Sequence, residues 1–422
     1  MARSPVAAEE HERRERYERP VGVAMSTLIV SDLHLGSGLG SDVLSRPGPR
    51  AALLEILEDI DRLVLLGDVL ELRHRPPRHA MAAARPFFED LGRVLAGREI
   101  VVSAGNHDHL LVESWLGERA LRAPEPFELE QRLLPEQASP MLAQLAEWAA
   151  PARVSAAYPG LWVRPDVYAI HGHYLDAHLT VPTIERLSIA AMSRILGRPA
   201  ASFSRVEDYE AVGAPVFAWR DAVAREARAG SGAMDRVDTI RAWRALAGEA
   251  NGSGGSGGSA GPRGAARRAA WARKLRGLAL AGAFPLAVAA LNRAGLGPLR
   301  TDISTEELRR AGLRAIGEVA DRLGLGDAHV VFGHTHRAGP LPGDSESEWR
   351  GRGGARLVNC GCWTYDLVFL GRAAGETPYW PGTCVLVDED SSEPPRLKRL
   401  LLDRSHAELA PAAAGAPTPS PA

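Results

Sequence analysis

The sequence predicts an α/β protein in which helices pack outside a β-sheet and a helical insertion interrupts the alternation. Short β-branched runs alternate with stretches of helical periodicity through most of the chain, which is typical of the α/β class. Between roughly residues 175 and 300 the strand-like runs stop and helical patterns replace them. Polar residues of the kinds that bind metals follow directly behind five of the predicted strands.

The predicted strands are short and rich in Val, Ile and Leu, as buried strands are. In chain order they are Thr27–Ser31, Arg62–Leu66, Glu99–Ser103, Asp166–Ile170, His329–Phe332, Ala355–Asn359 and Thr383–Asp388. Helical periodicity is clearest over Ala51–Asp59, Ala80–Leu95 and Thr305–Leu323.

This pattern predicts one main domain in two parts, residues 25–174 and 301–404, with residues 175–300 forming a helical cap between them. Within the cap, residues 251–262 read NGSGGSGGSAGP, a composition typical of a flexible linker. Residues 1–24 and 405–422 are predicted to be disordered, because they cannot bury enough apolar surface to offset the chain entropy.

Composition limits the classes of function. The 422 residues carry 50 Lys and Arg against 52 Asp and Glu, so no strong positive charge indicates a nucleic acid partner. Three cysteines give no disulfide framework, and the first 24 residues lack the apolar core of a secretory signal. We therefore expect a cytoplasmic protein.

Residues 262–291 suggest an alternative location at a membrane surface. A basic segment that contains Trp271 precedes an apolar run, and a basic amphipathic helix can lie on a membrane. The apolar run Leu278–Leu291 contains Pro285 and is shorter than the roughly 20 residues of a spanning helix. A solvated face with a helix packed into the cap is the alternative.

The polar groups behind the strands share one composition. The five groups are SDLHLG (Ser31–Gly36), GDVLE (Gly67–Glu71), GNHDH (Gly105–His109), HGHYLD (His171–Asp176) and GHTH (Gly333–His336). Ligand sites of open α/β sheets lie outside the carboxyl ends of the strands, so these groups are expected to converge. They contain seven of the 13 histidines, namely His34, His107, His109, His171, His173, His334 and His336.

The donor types predict a metal site. In extended backbone, residues i and i+2 point to the same side, so Asp32 with His34, and His334 with His336, would each present two ligands to one place. Carboxylate, imidazole and amide oxygen together suit Mn, Fe or Zn rather than Ca.

The ordered set D-x-H, GD, GNHD, H and GHTH resembles the calcineurin-like metallophosphoesterase superfamily. VNCGCW (Val358–Trp363) is similar to the N-x-G segment that often follows the family's last motif. The resemblance covers roughly residues 26–175 and 300–390. It implies a sandwich of two mixed β-sheets flanked by helices, an αββα fold.

The resemblance also implies two divalent metal ions, with Mn the best match and Fe or Zn compatible. It implies phosphoester hydrolysis by a hydroxide that the two metals bridge. Asp32, His34 and His336 would hold the first metal, Asn106, His171 and His334 would hold the second, and Asp68 would bridge them.

His107 resembles the family's catalytic histidine, which contacts the phosphoryl oxygen or protonates the leaving oxygen. Glu71, three residues after the bridging aspartate, is predicted to orient His107. The alternative for Glu71 is an exposed ion pair with Arg73.

Other residues of the same loops are expected to bind the phosphate of the substrate or to support the metal ligands. Arginines of the loop Arg73–His79, and Arg337, are candidates for gripping phosphate, since guanidinium binds it bidentately. Five further residues are expected to hydrogen-bond the metal ligands or to cap helices, namely Asp108, His109, His173, Asp176 and His178.

The predicted function is metal-dependent hydrolysis of a phosphomonoester, phosphodiester or pyrophosphate bond in a phosphorylated small-molecule or lipid-like substrate. DLHLG also resembles the branch that includes UDP-2,3-diacylglucosamine diphosphatases, although that branch typically has Arg at the position of His107 and a smaller cap. An inactive binding scaffold with the same fold is the alternative from another class.

Overall fold

The computed structural model describes residues 25–38, 40–121, 126–226 and 284–410, and these form an α/β fold. The predictions for residues 1–24, the linker 251–262 and the basic segment 262–277 lie outside the described residues. So does the tail beyond residue 410.

The described strands form one hydrogen-bonded sheet of 11, in which ten strands follow the order β11-β10-β1-β2-β3-β5-β6-β7-β9-β8 and β4, off this path, pairs with β5. The strands are β1 (Ser26–Val30), β2 (Arg62–Leu66), β3 (Glu99–Ser103), β4 (Glu130–Leu133), β5 (Arg153–Arg164), β6 (Val167–Ile170), β7 (His329–Phe332), β8 (Ala338–Gly339), β9 (Arg356–Cys360), β10 (Thr383–Asp388) and β11 (Arg396–Arg399).

Strand β5 joins two mixed sheets. Its first residues, Arg153–Ala156, pair in parallel with β3, and residues from Gly160 to Arg164 pair antiparallel with β6. The first sheet contains the parallel set β1, β2 and β3, and the second contains the parallel set β6, β7 and β9. Parallel strands end at the same edge, so each sheet brings several carboxyl ends together.

The two sheets face each other across an apolar layer. One buried cluster takes residues from both sheets, among them Ile29 and Val64 from the first, and Val331 and Val358 from the second. Two further apolar clusters lie between the outer faces and the helices. The layers are therefore helix, sheet, sheet and helix, which confirms the predicted αββα fold class.

The helices cover the outer faces and fill the insertion. They are α1 (Pro47–Leu57), α2 (Pro77–Val94), α3 (Glu113–Leu121), α4 (Pro135–Ala138), α5 (Pro140–Trp148), α6 (Ile184–Ile195), α7 (Val206–Glu226), α8 (Thr305–Arg322) and α9 (His406–Leu409). Residues 284–293 are also helical. None of the helices in the described ranges has the length and apolar character needed to cross a membrane.

A buried carboxylate of helix α7, that of Glu210, contacts strand β5 and the loops behind β3 and β6. Oε1 of Glu210 accepts hydrogen bonds from the hydroxyls of Tyr158 and Tyr174, and Oε2 lies 3.5 Å from Nε2 of His109. The residues described between 175 and 300 contain helices and turns and no strand. The insertion thus places α7 against the same edge of the sheets that carries the polar groups of the sequence motifs.

The predicted start of the disordered tail at residue 405 is wrong. The described chain continues through residue 410 and includes α9. Leu409 is buried in the apolar cluster between the first sheet and the helices on its outer face. The Tyr365 hydroxyl lies 2.7 Å from Nδ1 of His406. A buried leucine and hydrogen bonds of His406 and Ala410 to distant parts of the chain fix a segment whose composition alone indicated disorder.

Candidate metal centre

The polar groups behind β1, β2, β3, β6 and β7 meet at one edge of the sandwich. The first three strands are parallel neighbours, and β6 and β7 are parallel neighbours in the facing sheet. Amide hydrogen bonds join the loops: the Asp32 amide donates to the Gly67 carbonyl, and the Gly333 amide to the His171 carbonyl. The convergence that the sequence predicted is therefore present.

The backbone of the paired ligand residues is in the left-handed conformation rather than the extended one, and this conformation orients their side chains. Among the described residues, the non-glycine residues with positive φ all belong to the predicted ligand set. They are Asp32 (57°), His34 (47°), Asp68 (52°), His334 (64°) and His336 (61°). The prediction that each D-x-H or H-x-H pair shares a side because the backbone is extended is wrong in its cause. Such conformations cost of order 1–3 kcal/mol each and gather at functional sites.

One cluster contains the three residues predicted for the first metal. Asp32, His34 and His336 each offer a ligand atom within 4.8 Å of the other two. Nε2 of His336 lies 3.2 Å from Oδ1 of Asp32 and 3.3 Å from Nε2 of His34. The three donors face one small volume.

A second cluster contains Asp68, His171 and His334 at the same mutual spacing. Nε2 of His171 lies 3.3 Å from Oδ2 of Asp68 and 3.2 Å from Oδ1 of Asn106. The residues predicted for the second metal are thus brought together with the predicted bridging carboxylate.

Asp68 lies between the two clusters. Its Oδ2 atom is 3.3 Å from Nε2 of His171 and 3.7 Å from Nε2 of His34. One oxygen therefore faces a donor from each cluster, which is the placement that a bridging ligand needs.

Each of the four histidines has a hydrogen-bond partner on one ring nitrogen, so the other nitrogen is available as a ligand. The pairs are His34 Nδ1 with Glu71 (2.9 Å), His171 Nδ1 with the Leu66 carbonyl (2.9 Å), His334 Nε2 with Asp176 (3.1 Å) and His336 Nδ1 with Thr364 (3.2 Å). Asp176 was predicted as a supporting residue, and Thr364 was missed.

The donor set fits divalent cations. Oδ1 of Asp32 is buried and makes no hydrogen bond within the described part of the chain. Burial alone raises the pKa of a carboxyl group, yet the charge of His336 holds the pKa of Asp32 below its ordinary value. Burial likewise opposes ionisation of Asp68, and His171 is the main cause that lowers its pKa. The carboxylates are therefore ionised and need positive charge, which bound metal would provide.

Close approach of backbone shapes the pocket around Asp68. A Cβ atom on Gly105 would lie 2.2 Å from Oδ1 of Asp68 and 2.8 Å from Nε2 of His171. Glycine is required there because any side chain would occupy the space of the ligands.

Glu71 and His107 form the pair that the sequence predicted. Nδ1 of His107 lies 2.9 Å from Oε2 of Glu71, and the His107 amide donates to Oδ1 of Asp68. Glu71 is buried, and Arg73 meets it through its amide N–H, so the alternative of an exposed Glu71–Arg73 ion pair does not occur.

The pKa of Glu71 and the pKa of His107 both lie below their ordinary values. Burial raises the pKa of Glu71, but the charges of His107 and His74 lower it well below its ordinary value. Burial is the main cause that lowers the pKa of His107. Because Nδ1 of His107 faces the carboxylate, its Nε2 atom is the nitrogen available for substrate.

The supporting residues have distinct partners. Asp108 accepts hydrogen bonds from the amides of Gly105, Asp68, Val69 and Leu70, which shapes the two loops. Nε2 of His178 contacts the Tyr209 hydroxyl at 2.8 Å, away from the two clusters.

Of the candidate phosphate-gripping arginines, Arg337 is paired with Asp344. The guanidinium of Arg75 donates to the Gly38 carbonyl, and Arg78 is exposed. Arg73 is buried beside the Glu71–His107 pair.

Residues 25–196 match the family model of calcineurin-like phosphoesterases. This match, the αββα fold and the two clusters agree, and together they support the metallophosphoesterase superfamily. No curated protein matches the chain. The family and the His/Asp clusters support a metal-dependent phosphoesterase.

Proposed function

We propose that this protein hydrolyses a phosphomonoester, phosphodiester or pyrophosphate bond with two divalent metal ions, of which Mn is the best match. The observation that carries the proposal is the placement of Asp68, whose Oδ2 atom faces His34 of one cluster and His171 of the other. When bound, two cations would neutralise the phosphoryl oxygens and lower the pKa of a water molecule between them.

The side chains of the proposed site divide into holding and reacting groups. Asp32, His34 and His336 would hold one cation. Asn106, His171 and His334 would hold the other. Asp68 would bridge them.

His107 is the proposed catalytic residue. Glu71 holds its Nδ1 atom, so Nε2 would contact a phosphoryl oxygen or pass a proton to the leaving oxygen. A group that binds the phosphoryl oxygens more tightly as charge develops on them lowers the barrier rather than only the KM.

Two alternatives differ in what the site would do. A pyrophosphatase similar to the UDP-2,3-diacylglucosamine diphosphatases would cleave a phosphoanhydride, and the buried Arg73 beside the site favours an anionic group next to the scissile one. A binding scaffold without catalysis would still hold metal. The proposed contact of the cap with a membrane concerns residues 262–291, and only residues 284–291 of these lie in the described ranges.

Hydrolysis of bis-p-nitrophenyl phosphate with added Mn²⁺ tests the proposal, together with a panel of monoesters and nucleotide pyrophosphates. Turnover that disappears with a chelator and returns with Mn²⁺ is the expected result. Stoichiometric metal binding without turnover of any ester, diester or anhydride would favour the scaffold instead.

A further inference from the structure

Arg73 is a buried cation whose guanidinium makes no hydrogen bond within the described part of the chain. The residue is 3% exposed, and Nε, Nη1 and Nη2 all lack an acceptor. A carboxylate oxygen of Asp221 lies 4.0 Å from Nε, which is beyond hydrogen-bonding distance. The ion pair with Asp221 and the contact with the Phe217 ring offset part of the cost of burying this charge, but the N–H groups of the guanidinium remain without acceptors, which is unfavourable for a buried ion.

The position of Arg73 is fixed relative to the candidate metal centre. Its amide donates to Oε1 of Glu71 at 2.9 Å, and Oε2 of the same carboxylate holds His107. One carboxylate therefore contacts both Arg73 and His107, which places Arg73 beside the candidate metal centre.

Helix α7 covers this region with an aromatic ring. The Phe217 ring centroid lies 5.5 Å from Cζ of Arg73, 5.3 Å from the His173 ring and 5.2 Å from the His109 ring. Neither ring nitrogen of His173 makes a hydrogen bond to any residue of the described ranges. Polar groups without acceptors thus lie beneath an apolar cover, an arrangement that strengthens an ionic contact with a bound anion.

We propose that Arg73 binds a second phosphoryl group of the substrate, next to the one that the metal centre would hold. A planar guanidinium donates two parallel hydrogen bonds to a pair of phosphoryl oxygens, and this geometry matches phosphate better than it matches a neutral group. The inference rests on the proposed function and selects among its substrates: the class is phosphoric anhydrides rather than simple monoesters and diesters.

Kinetics on two substrates tests the assignment. The variant Arg73→Met removes the charge and keeps an unbranched chain, and Arg85→Met, which removes an exposed charge from α2, is the control. With a nucleoside diphosphate sugar, we expect kcat/KM of Arg73→Met to fall about 10- to 100-fold, mainly through KM. With bis-p-nitrophenyl phosphate, which has a single phosphoryl group, kcat/KM of Arg73→Met should fall much less than with the diphosphate sugar, and Arg85→Met should match wild type on both substrates.

A binding measurement separates failure of the subsite from failure of the proposed function. Calorimetry should show that the wild-type protein binds methylenediphosphonate about 10- to 100-fold more tightly than methylphosphonate, and that this ratio approaches one in Arg73→Met. If no substrate is turned over and the ratio holds, the proposed function fails and the anion subsite stands. If substrates are turned over and the ratio is near one in wild type, the subsite is wrong.

Equal losses on both substrates in Arg73→Met would also overturn the assignment, because they would show a structural role. If Arg73→Met does not fold, Arg73→Lys keeps the charge and removes the bidentate geometry. It should lose activity on the anhydride alone, and wild-type kinetics of this variant on the anhydride would count against the proposal.

Discussion

Oε2 of Glu71 lies 2.9 Å from Nδ1 of His107, and it lies 2.9 Å from Nδ1 of His34 as well. The carboxylate is buried, and its other oxygen accepts the Arg73 amide. One carboxylate therefore orients the ring of a predicted metal ligand and the ring of the predicted catalytic residue. The two functions can be separated, because one histidine can be removed while the other keeps its partner.

Replacement of His107 by alanine should remove turnover and keep the metal. The substitution deletes a ring that would contact substrate through Nε2 and leaves every predicted ligand side chain in place, so we expect kcat to fall about 10²- to 10⁴-fold. Metal content per chain, measured by elemental analysis, should equal that of wild type. His79→Ala, at an exposed histidine of α2, is the control. Loss of metal from His107→Ala would mean that the residue is a ligand.

Replacement of Glu71 by glutamine should affect both functions at once. The amide cannot present two charged acceptor sites to His34 and His107, so the ring of the ligand and the ring of the catalytic residue both lose their orientation. We expect Mn²⁺ affinity to fall about 10- to 100-fold and kcat to fall even at saturating Mn²⁺. Glu89→Gln, at an exposed position of α2, should behave as wild type. A normal kcat at saturating metal would leave Glu71 without a part in orienting His107.

The positions of the candidate ligands could be predicted from the sequence because each follows a short apolar strand. The strands that carry them agree with the predicted ranges within about two residues, since runs such as TLIVS and RLVLL are fully buried and end at a polar motif. Strand β5 was missed because Pro159 and Gly160 interrupt its pattern, although it is the strand that joins the sheets.

Two features of the site could not be predicted from the local sequence. The left-handed conformation of Asp32 and His334 is unfavourable for those residue types and is imposed by the loops packed around them. Thr364 supports His336 from a loop that follows β9, and a threonine after VNCGCW carries no signal for that role. Contacts of this kind depend on how distant segments pack.

Replacement of His178 by glutamine should make stability less sensitive to acid. Burial, with a smaller contribution from Arg322, lowers the pKa of His178 from 6.5 to about 4. Between about pH 6.5 and pH 4, His178 is therefore protonated in the unfolded chain and unprotonated in the folded chain. Because protonation then favours the unfolded state, the free energy of unfolding of the wild type falls as pH falls through this window. Glu318 on α8, Arg186 on α6 and the Tyr209 hydroxyl on α7 are the other groups that face the ring.

Urea unfolding from pH 7 to 4, with a chelator present so that metal release does not contribute, measures the effect of His178→Gln. The wild type should lose up to about 3 kcal/mol more of its free energy of unfolding than the variant across this range. His79→Gln, at an exposed histidine, should follow the wild type. Parallel curves for His178→Gln and wild type would contradict the assignment.

Replacement of Asp32 by asparagine should make the stability of the folded protein much less dependent on bound Mn²⁺. Oδ2 of Asp32 accepts the His334 amide at 2.9 Å, and an asparagine carbonyl can keep that hydrogen bond, whereas Oδ1 makes none and is the oxygen left for a cation. Mn²⁺ at about 100 times its Kd should stabilise the wild type by about 2.7 kcal/mol, because it binds only the folded state.

Thermal unfolding with Mn²⁺ and with a chelator gives the comparison for Asp32→Asn. Its melting temperature should respond much less to Mn²⁺ than that of wild type, because the variant lacks the charged oxygen that would bind the cation. Asp327→Asn, at an exposed position, should retain the full wild-type response. If Asp32→Asn responds to Mn²⁺ as strongly as wild type, the stabilising cation binds elsewhere, and the first cluster is not the metal site.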